Sequence, residues 1–466
     1  MSAVAMHAEW IAPLDGPVVH DGWVVADRGR IAYVGAELPA MFTGLPRVEL
    51  GRGALLPGWV NSHCHLEFSD LSEPIPMPSG GTIVDWLKAV MAYRRAQSVS
   101  DTESLDERRR HALAAGVKEA WRTGTRWIVD NATMPWQPEW IAQAKDACAR
   151  NLPQRARDAL VPRDCIEVQT CFEVVDVNRD RWQTTWKHCL AQIDAGIEAN
   201  GATYEQSDAP KLASVYGIAP HAPYTASLQA TQYALDACRA RGVLWSMHLA
   251  ESVQERQWLE SRSGPFADWI SPILDAEHLA HVGTVEEHLQ CASASGAKGL
   301  VVHGNDLHGN EIDRIAESKG RLAVVYCPRT HAFFGHGPHP WPQLVQRGIP
   351  AFLGTDSRAS NPDLSMWKEC QTAVERLQPT LVRDVVKAAC VDPARFMGIR
   401  LGTLAVGAPS LLTWLAWDED APQSSSSQAS GPQAAEVWNE EHWWRWVMQH
   451  ARSQPLELHP IWSRPQ

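Results

Sequence analysis

Between residues 54 and 400 one pattern recurs: a short apolar run, then a longer stretch of helical character. The apolar runs fall at 54–60, 126–130, 166–172, 213–219, 243–248, 299–303, 322–327 and 350–355. The intervening segments include "DERRRHALAAGVKEAWRTG", which reads as helix. Eight strands alternating with helices predict an α/β fold, a (β/α)8 TIM-like barrel over residues 54–399. With apolar residues at 45% of the chain, a core of that size is available. The region 157–212 holds more helix and loop than one repeat requires.

Both flanks change character. "HAEWIAPLDGPVVHDGWVVADRGRIAYVG" alternates apolar and polar positions between Gly and Asp turns, and "LGTLAVGAPSLLTWLAWD" returns to strand-like alternation. Residues 1–53 and 400–418 are therefore expected to join in one small β-domain, a β-sandwich built from the two ends of the chain. The Ser- and Pro-rich 419–435 reads as a flexible polar linker. Within the last segment, 436–466, an amphipathic helix is expected to dock on its own domain through Trp443, Trp444 and Trp446.

Charge and composition exclude some partners. A net charge of −12 and a pI near 5.9 argue against nucleic acid and against an anionic membrane surface. No run approaches the roughly 18 apolar residues of a spanning helix. The ten cysteines are scattered without a Cys-x-x-Cys pair, which suits a reducing, cytoplasmic setting. The expected partner is a small-molecule substrate, with a homo-oligomer left open.

In a barrel of this type, chemistry gathers where strands end at the C-terminal face. The first run leads into "NSHCHLEFSD", with His63 and His65 on alternate positions. Side chains at i and i+2 of a strand share a face about 7 Å apart, so two imidazoles there reach a common metal ion. Cys64 then points to the opposite side. The fourth strand ends near His221, the fifth at His248 with Glu251 three residues on, the sixth at His303, and the eighth at Asp356. Five histidines and an aspartate at strand ends converge on one metal site.

Here the chain resembles the amidohydrolase superfamily across most of residues 50–410. The family pattern is His-x-His on strand one, His on strands five and six, and Asp on strand eight. The resemblance implies one divalent ion, Zn²⁺ or Fe²⁺, on His63, His65, His248 and Asp356. Two-metal members bridge their ions through a lysine at the end of strand four. Lys211 precedes that strand here, so a single ion is expected. The His248–Glu251 spacing is similar to the deaminases of cytosine, guanine and S-adenosylhomocysteine. "NSHCHLEFSD", "GGTIVDWLKAV", "HAPYTAS", "HLAESVQERQWLESRSGPF" and "GTDSRASNPDLSMWKE" more closely resemble bacterial aminodeoxyfutalosine deaminases, of a menaquinone route. The chain departs from those relatives where Thr330 and His331 replace Ser-Asn, and where an Asp is missing from "VGAPSLLTWL".

This resemblance implies hydrolytic deamination of a purine-type ring, with 6-amino-6-deoxyfutalosine giving futalosine and ammonia. Catalysis would fall to Glu251, His303 and Asp356. A bound ion acidifies water; Asp356 would take its proton, His303 would orient the attacking oxygen, and Glu251 would protonate the ring nitrogen. His221 is placed for the ring or ribose. Glu67 and Trp86 are further substrate-contact candidates, Glu67 alternatively supporting the ligand histidines. Arg94 and Arg95 read as a solvated helix end. His278, His281 and His288 read as a polar, exposed helix face, and His331, His336 and His339 as a loop cluster with no compact ligand spacing. The rivals are an adenosine-type, S-adenosylhomocysteine or triazine hydrolase of the same branch, and an inactive barrel retained as a scaffold.

Overall fold

The computed structural model describes residues 3–98, 104–150, 166–177, 179–201, 213–274, 276–377, 381–417 and 440–456. The expected linker at 419–435, and Lys211, lie outside the described residues.

Nine strands form one parallel sheet that closes on itself. In chain order they are β1 (Trp59–His65), β2 (Thr125–Ala132), β3 (Glu167–Val174), β4 (Tyr216–Pro220), β5 (Trp245–Leu249), β6 (Gly299–His303) and β7 (Leu322–Tyr326). The last place is shared by two short strands, β8 (Ala351–Leu353) against β7 and β9 (Asp356–Ser357) against β1. Because β9 follows β8 after two residues, this pairing completes the barrel. It also sets Asp356 opposite Cys64 and Ser357 opposite His65. Gly354 makes the closure possible. A Cβ there would lie 3.0 Å from the backbone nitrogen and oxygen of His63, and only glycine lets the two strands approach so closely.

The first apolar run divides in two, contrary to the sequence expectation. Gly53–Pro57 leaves the barrel and pairs with Ala3–Ile11 and, antiparallel, with Leu412–Trp417. Only from Trp59 does the chain join the barrel. Pro57 has no N–H to continue a ladder, and the Gly58 N–H is taken by the carbonyl of Leu411, so one apolar run serves two sheets.

The second sheet has seven described strands drawn from both ends of the chain. Its order is Ala451–Pro455, Leu412–Trp417, Gly53–Pro57, Ala3–Ile11, Val19–Asp27 and Arg30–Gly35, with Arg47–Glu49 also pairing with Ala3–Ile11. It is one hydrogen-bonded sheet; the second, facing sheet that a sandwich requires is not found among the described residues. The helix Glu440–His450 buries Trp443 and Trp444, and the Trp443 ring lies 5.2 Å from that of Trp10.

Alternation along the strands sorts side chains into two buried layers. Trp245, Met247 and Leu249 of β5 pack outward in one cluster with Trp258, Leu289 and Ile312 of the surrounding helices. Leu244 belongs to a separate cluster with Leu300, Val302, Ala323 and Val325. His248 therefore shares its face with Leu244, toward the barrel axis. Cys64 packs in the helix-facing cluster, which turns His63 and His65 inward. Among the described residues no helix is long and apolar enough to cross a membrane.

Candidate active site

Four strands bring His63, His65, His248, His303 and Asp356 together. His63, His65 and His248 each present a ring nitrogen within 4.8 Å of the others, and His63, His303 and Asp356 form a second such group. Asp356 Oδ1 lies 3.5 Å from Nε2 of His63 and 3.7 Å from Nε2 of His65. The histidine tautomers follow from their other contacts. Nδ1 of His65 meets the carbonyl of Asn131 at 3.1 Å, and Nδ1 of His248 meets the carbonyl of His221 at 2.7 Å. A carbonyl only accepts, so both Nδ1 atoms carry the hydrogen and both Nε2 atoms are bare acceptors. Those two acceptors lie 3.0 Å apart. Both ring nitrogens of His63 are buried without a hydrogen-bond partner among the described residues. Lone pairs facing one another, with a carboxylate beside them, fit a cation held by imidazole and carboxylate.

Burial disfavours the charged form of His248, His65 and His303, which suits them to ligation. His248 is lowered to about 4 by burial and then by His63, and His65 and His303 are held well below the usual imidazole range, chiefly by burial. Burial alone would raise Asp356, yet the approach of His63 at 3.5 Å, and then the neighbouring His303 and His65, hold it well below the carboxylate range. Ala250, His303 and Asp356 all adopt left-handed backbone, with φ of 53°, 69° and 57°. Such conformations cost non-glycine residues about 1–3 kcal/mol each, and they cluster where a site demands a particular turn.

Glu251 lies beside this group, with Oε1 3.5 Å from Nε2 of His303. Its backbone is pinned at both ends. The Glu255 carboxylate accepts from the Glu251 N–H at 2.7 Å, and Asn305 Nδ2 donates to the Glu251 carbonyl at 3.0 Å. Ser252 caps the helix Val253–Ser261 that carries Glu255. Burial, then the negative charges of Asp356 and Glu255, raise the Glu251 carboxyl well above its ordinary value.

The substrate-contact candidates are placed less uniformly. His221 stands beside His248, its Nδ1 2.6 Å from Oγ1 of Thr225. Glu67 is buried and clamped: Arg94 donates to it at 2.5 Å, Arg109 pairs with it, and the Thr133 hydroxyl reaches it at 2.9 Å. Arg94, half-buried, is thus paired with the buried Glu67 and not the solvated helix end expected, whereas Arg95 is exposed. Trp86 is buried, with its indole N–H donated to the carbonyls of Ile75 and Ala359.

Two helix-face histidines also depart from expectation. Both His278 and His288 are buried: His288, between the Val282 carbonyl and the Thr231 hydroxyl, shares a helix face with Val285, Leu289 and Ala292, while His278, on the separate short helix Ala276–Ala280, lies 3.2 Å from Asp176. Only His281 is exposed.

Sequence reasoning missed several residues. Nε2 of His339 donates to the His303 carbonyl at 2.9 Å, while its Nδ1 accepts from the Trp341 N–H. His339 thereby holds the strained turn at His303. Ser360 donates to Oδ2 of Asp356 at 3.0 Å and contacts the Thr330 hydroxyl at 2.9 Å, linking the Thr330 departure to a ligand. Glu173 ends β3 beside His65, with burial pushing it up to about 7 against the pull of Arg94. A charged residue closing "EVQTCFEV" was the available signal, the same one that marked the histidines.

A family model described as "Amidohydrolase family" matches residues 54–425. A 5-methylthioadenosine/S-adenosylhomocysteine deaminase of Nitratidesulfovibrio vulgaris is 25% identical over 418 residues, covering 84% of this chain and 78% of the relative. An aminodeoxyfutalosine deaminase of Deinococcus radiodurans is 25% identical over 370 residues, covering 77% of each chain. Among solved structures, an adenosine deaminase of Xanthomonas campestris with bound zinc superposes with a TM-score of 0.66 at 18% identity, over 96% of this chain and 89% of the other.

Proposed function

We propose, from a chain that belongs to the amidohydrolase family, that this enzyme is a metal-dependent hydrolytic deaminase of 6-aminopurine-type nucleosides. The carrying observation is Glu251, a buried carboxyl 3.5 Å from His303 and next to the histidine cluster, where burial disfavours its charged form. A hydrolase that only needed to activate water would have no use for a second acid there. A deaminase needs one, because the ring nitrogen beside the attacked carbon must be neutralised as charge develops.

His63, His65, His248 and Asp356 would hold one divalent ion, zinc or iron(II), which when bound supplies Lewis acidity and acidifies water. The remaining work belongs to the chain. Asp356, held by Ser360, accepts the proton of the attacking water. His303 orients that water by hydrogen bonding, its own position fixed by His339. Glu251 gives its proton to the ring nitrogen. As the C–N bond breaks, the proton taken up by Asp356 passes to the departing amine and Glu251 takes the proton of the new hydroxyl, so that ammonia and the carbonyl product leave with both carboxyls restored.

The substrate we place first is 6-amino-6-deoxyfutalosine. The motifs after His65 and Glu251, and the Deinococcus relative, support it. The similarity to the Nitratidesulfovibrio enzyme supports a second reading, 5-methylthioadenosine or S-adenosylhomocysteine.

The test is ammonia release from metal-loaded enzyme given aminodeoxyfutalosine, 5-methylthioadenosine, S-adenosylhomocysteine, adenosine, guanine and cytosine. Turnover of a 6-aminopurine nucleoside is expected, falling about 100- to 10,000-fold in Glu251→Gln with metal content unchanged. Ammonia from none of the six, with one ion bound, would refute deamination of these rings.

A further inference from the structure

Behind the barrel wall, where β7 ends, stands a group of polar side chains with no task in the proposed reaction. Tyr326, the last residue of β7, points away from the barrel axis and packs with Trp341, Met366 and Trp367. It is 0% exposed, and its hydroxyl has no hydrogen-bond partner among the described residues. His331, on the helix Pro328–Phe334, is 2% exposed, its ring 5.3 Å from that of Tyr326 and nearly perpendicular to it. Arg376, at the end of the helix Met366–Arg376, sets its Nη2 3.2 Å from Nδ1 of His331.

That contact fixes the state of the imidazole. A guanidinium only donates, so Nδ1 accepts and the ring hydrogen stands on Nε2. Burial, then His339, His336 and Arg376, lower His331 to about 3, in keeping with a neutral ring. Its Nε2 is buried and meets no acceptor among the described residues; the Gly337 carbonyl lies near the ring without completing a hydrogen bond. The charge of Arg376 acts on the Tyr326 hydroxyl as well, so the guanidinium borders both donors. Arg376 has no ion-pair partner among the described residues. Glu369 also acts on Tyr326, but it is committed elsewhere. It accepts from Asn361 Nδ2 at 2.6 Å and from the Arg329 N–H at 3.0 Å, and burial pushes it up to about 8.

Two buried donors beside a guanidinium, with no acceptor among them, is an arrangement that protein interiors rarely keep. A cation does not resolve it, because Arg376 repels one. Nor do His331, His336 and His339 form a group of ligand atoms within 4.8 Å of one another among the described residues. A water brings two hydrogens along with its lone pairs, and those hydrogens would need acceptors in turn. An anion brings lone pairs alone. One guanidinium charge calls for one negative charge, and enclosure by Tyr326 and His331 calls for a small ion. We propose that Tyr326, His331 and Arg376 form a binding site for a small monovalent anion of the halide class, separate from the active site. It borders His339, whose ring lies 4.1 Å from that of Tyr326 and whose Nε2 holds the His303 carbonyl.

The test is thermal unfolding of the metal-loaded protein at constant ionic strength, as sodium chloride replaces sodium gluconate, whose anion is bulky. Wild type should gain about 2–4 °C in melting temperature, saturating with chloride. Tyr326→Phe deletes only the hydroxyl, and Arg376→Gln alters an exposed residue, so both variants should fold. Each should need about 10-fold more chloride, or a larger excess, for half the shift. Chloride acting at the metal would shift all three proteins alike, so equal responses overturn the assignment. A wild type indifferent to chloride overturns it too, and would leave water in that place. In crystals soaked with bromide, an anomalous peak is expected in contact with the Tyr326 hydroxyl, His331 Nε2 and the Arg376 guanidinium. Its absence there would count against the site even if the melting temperature moved.

Discussion

His65 and His248 present bare nitrogens to each other across 3.0 Å, each fixed by a carbonyl behind it. Without a cation that arrangement is electrostatically unfavourable; with one it is pre-organised, and the carbonyls prevent either ring from turning away. Removing one ring should have opposite consequences in the two states. In His65→Asn we expect elemental analysis to find only traces of metal where wild type retains a stoichiometric ion. Wild type should lose melting temperature on chelation, while the variant should not respond, since binding to the folded state alone is what stabilises. An equal response to chelator in both proteins would rule His65 out as a ligand. The placement of Glu251 beside this cluster was legible for a similar reason, because it needs only a spacing from His248, which the sequence states directly. Glu173 carries no comparable marker; a lone acid at a strand end acquires meaning only when β3 brings it beside His221 and His248.

Elements fix what single residues cannot. Glu67 sits in the short turn after β1, Arg94 on the helix Ile83–Ser98 and Arg109 on the helix Leu105–Arg122, so one buried carboxylate ties two helices to the strand that carries His63 and His65. Loss of Arg109 leaves the buried Glu67 charge held by Arg94 and Thr133 alone. Arg109→Met should therefore lower the unfolding free energy by about 3–5 kcal/mol, read by urea denaturation. The double variant Arg109→Met, Glu67→Gln should recover part of it, whereas a cost below 1 kcal/mol (the typical worth of an exposed pair) would mean the clamp is loose. None of this is visible in sequence, where Arg94 looks like any solvated helix end, because the ion pair spans 27 positions. Barrel strands were readable since strands covered on both faces are apolar throughout. The same property hid the break at Pro57-Gly58, where an unbroken apolar run changes sheets. His339 was missed as a prop for His303 because a donor to a strand-end carbonyl leaves no periodic trace. His339→Phe, which removes that donor, should lower kcat about 10-fold with metal content intact; unchanged kcat would release His339 from any role.

At the scale of the whole molecule, the buried histidines make stability a function of pH. His288 is enclosed between helices, far in sequence from the strand ends, and burial lowers it to about 4 from a usual value near 6.5. It is buried because residue 288 falls on the helix face of Val285, Leu289 and Ala292, a periodicity the sequence holds but which three polar-looking histidines disguise. In the unfolded chain this imidazole takes up a proton as pH drops through about 6.5, whereas in the folded protein it stays neutral until about 4. The unfolded state thus binds more protons across that window. The stabilising effect of a neutral, hydrogen-bonded His288 is fully present above pH 6.5 and disappears on acidification toward pH 4, by up to about 1.4 kcal/mol per pH unit and about 3 kcal/mol in all. His336 and His339, each lowered to about 4 chiefly by burial, act in the same direction. Urea unfolding of the chelated protein from pH 7.5 to 4.5 should show stability falling with acid below pH 6.5. In His288→Gln, which titrates in neither state, the slope should be shallower by about one proton's worth, up to 1.4 kcal/mol per unit. Parallel curves for the two proteins would mean that His288 is protonated alike in both states, and that the helix face enclosing it admits water.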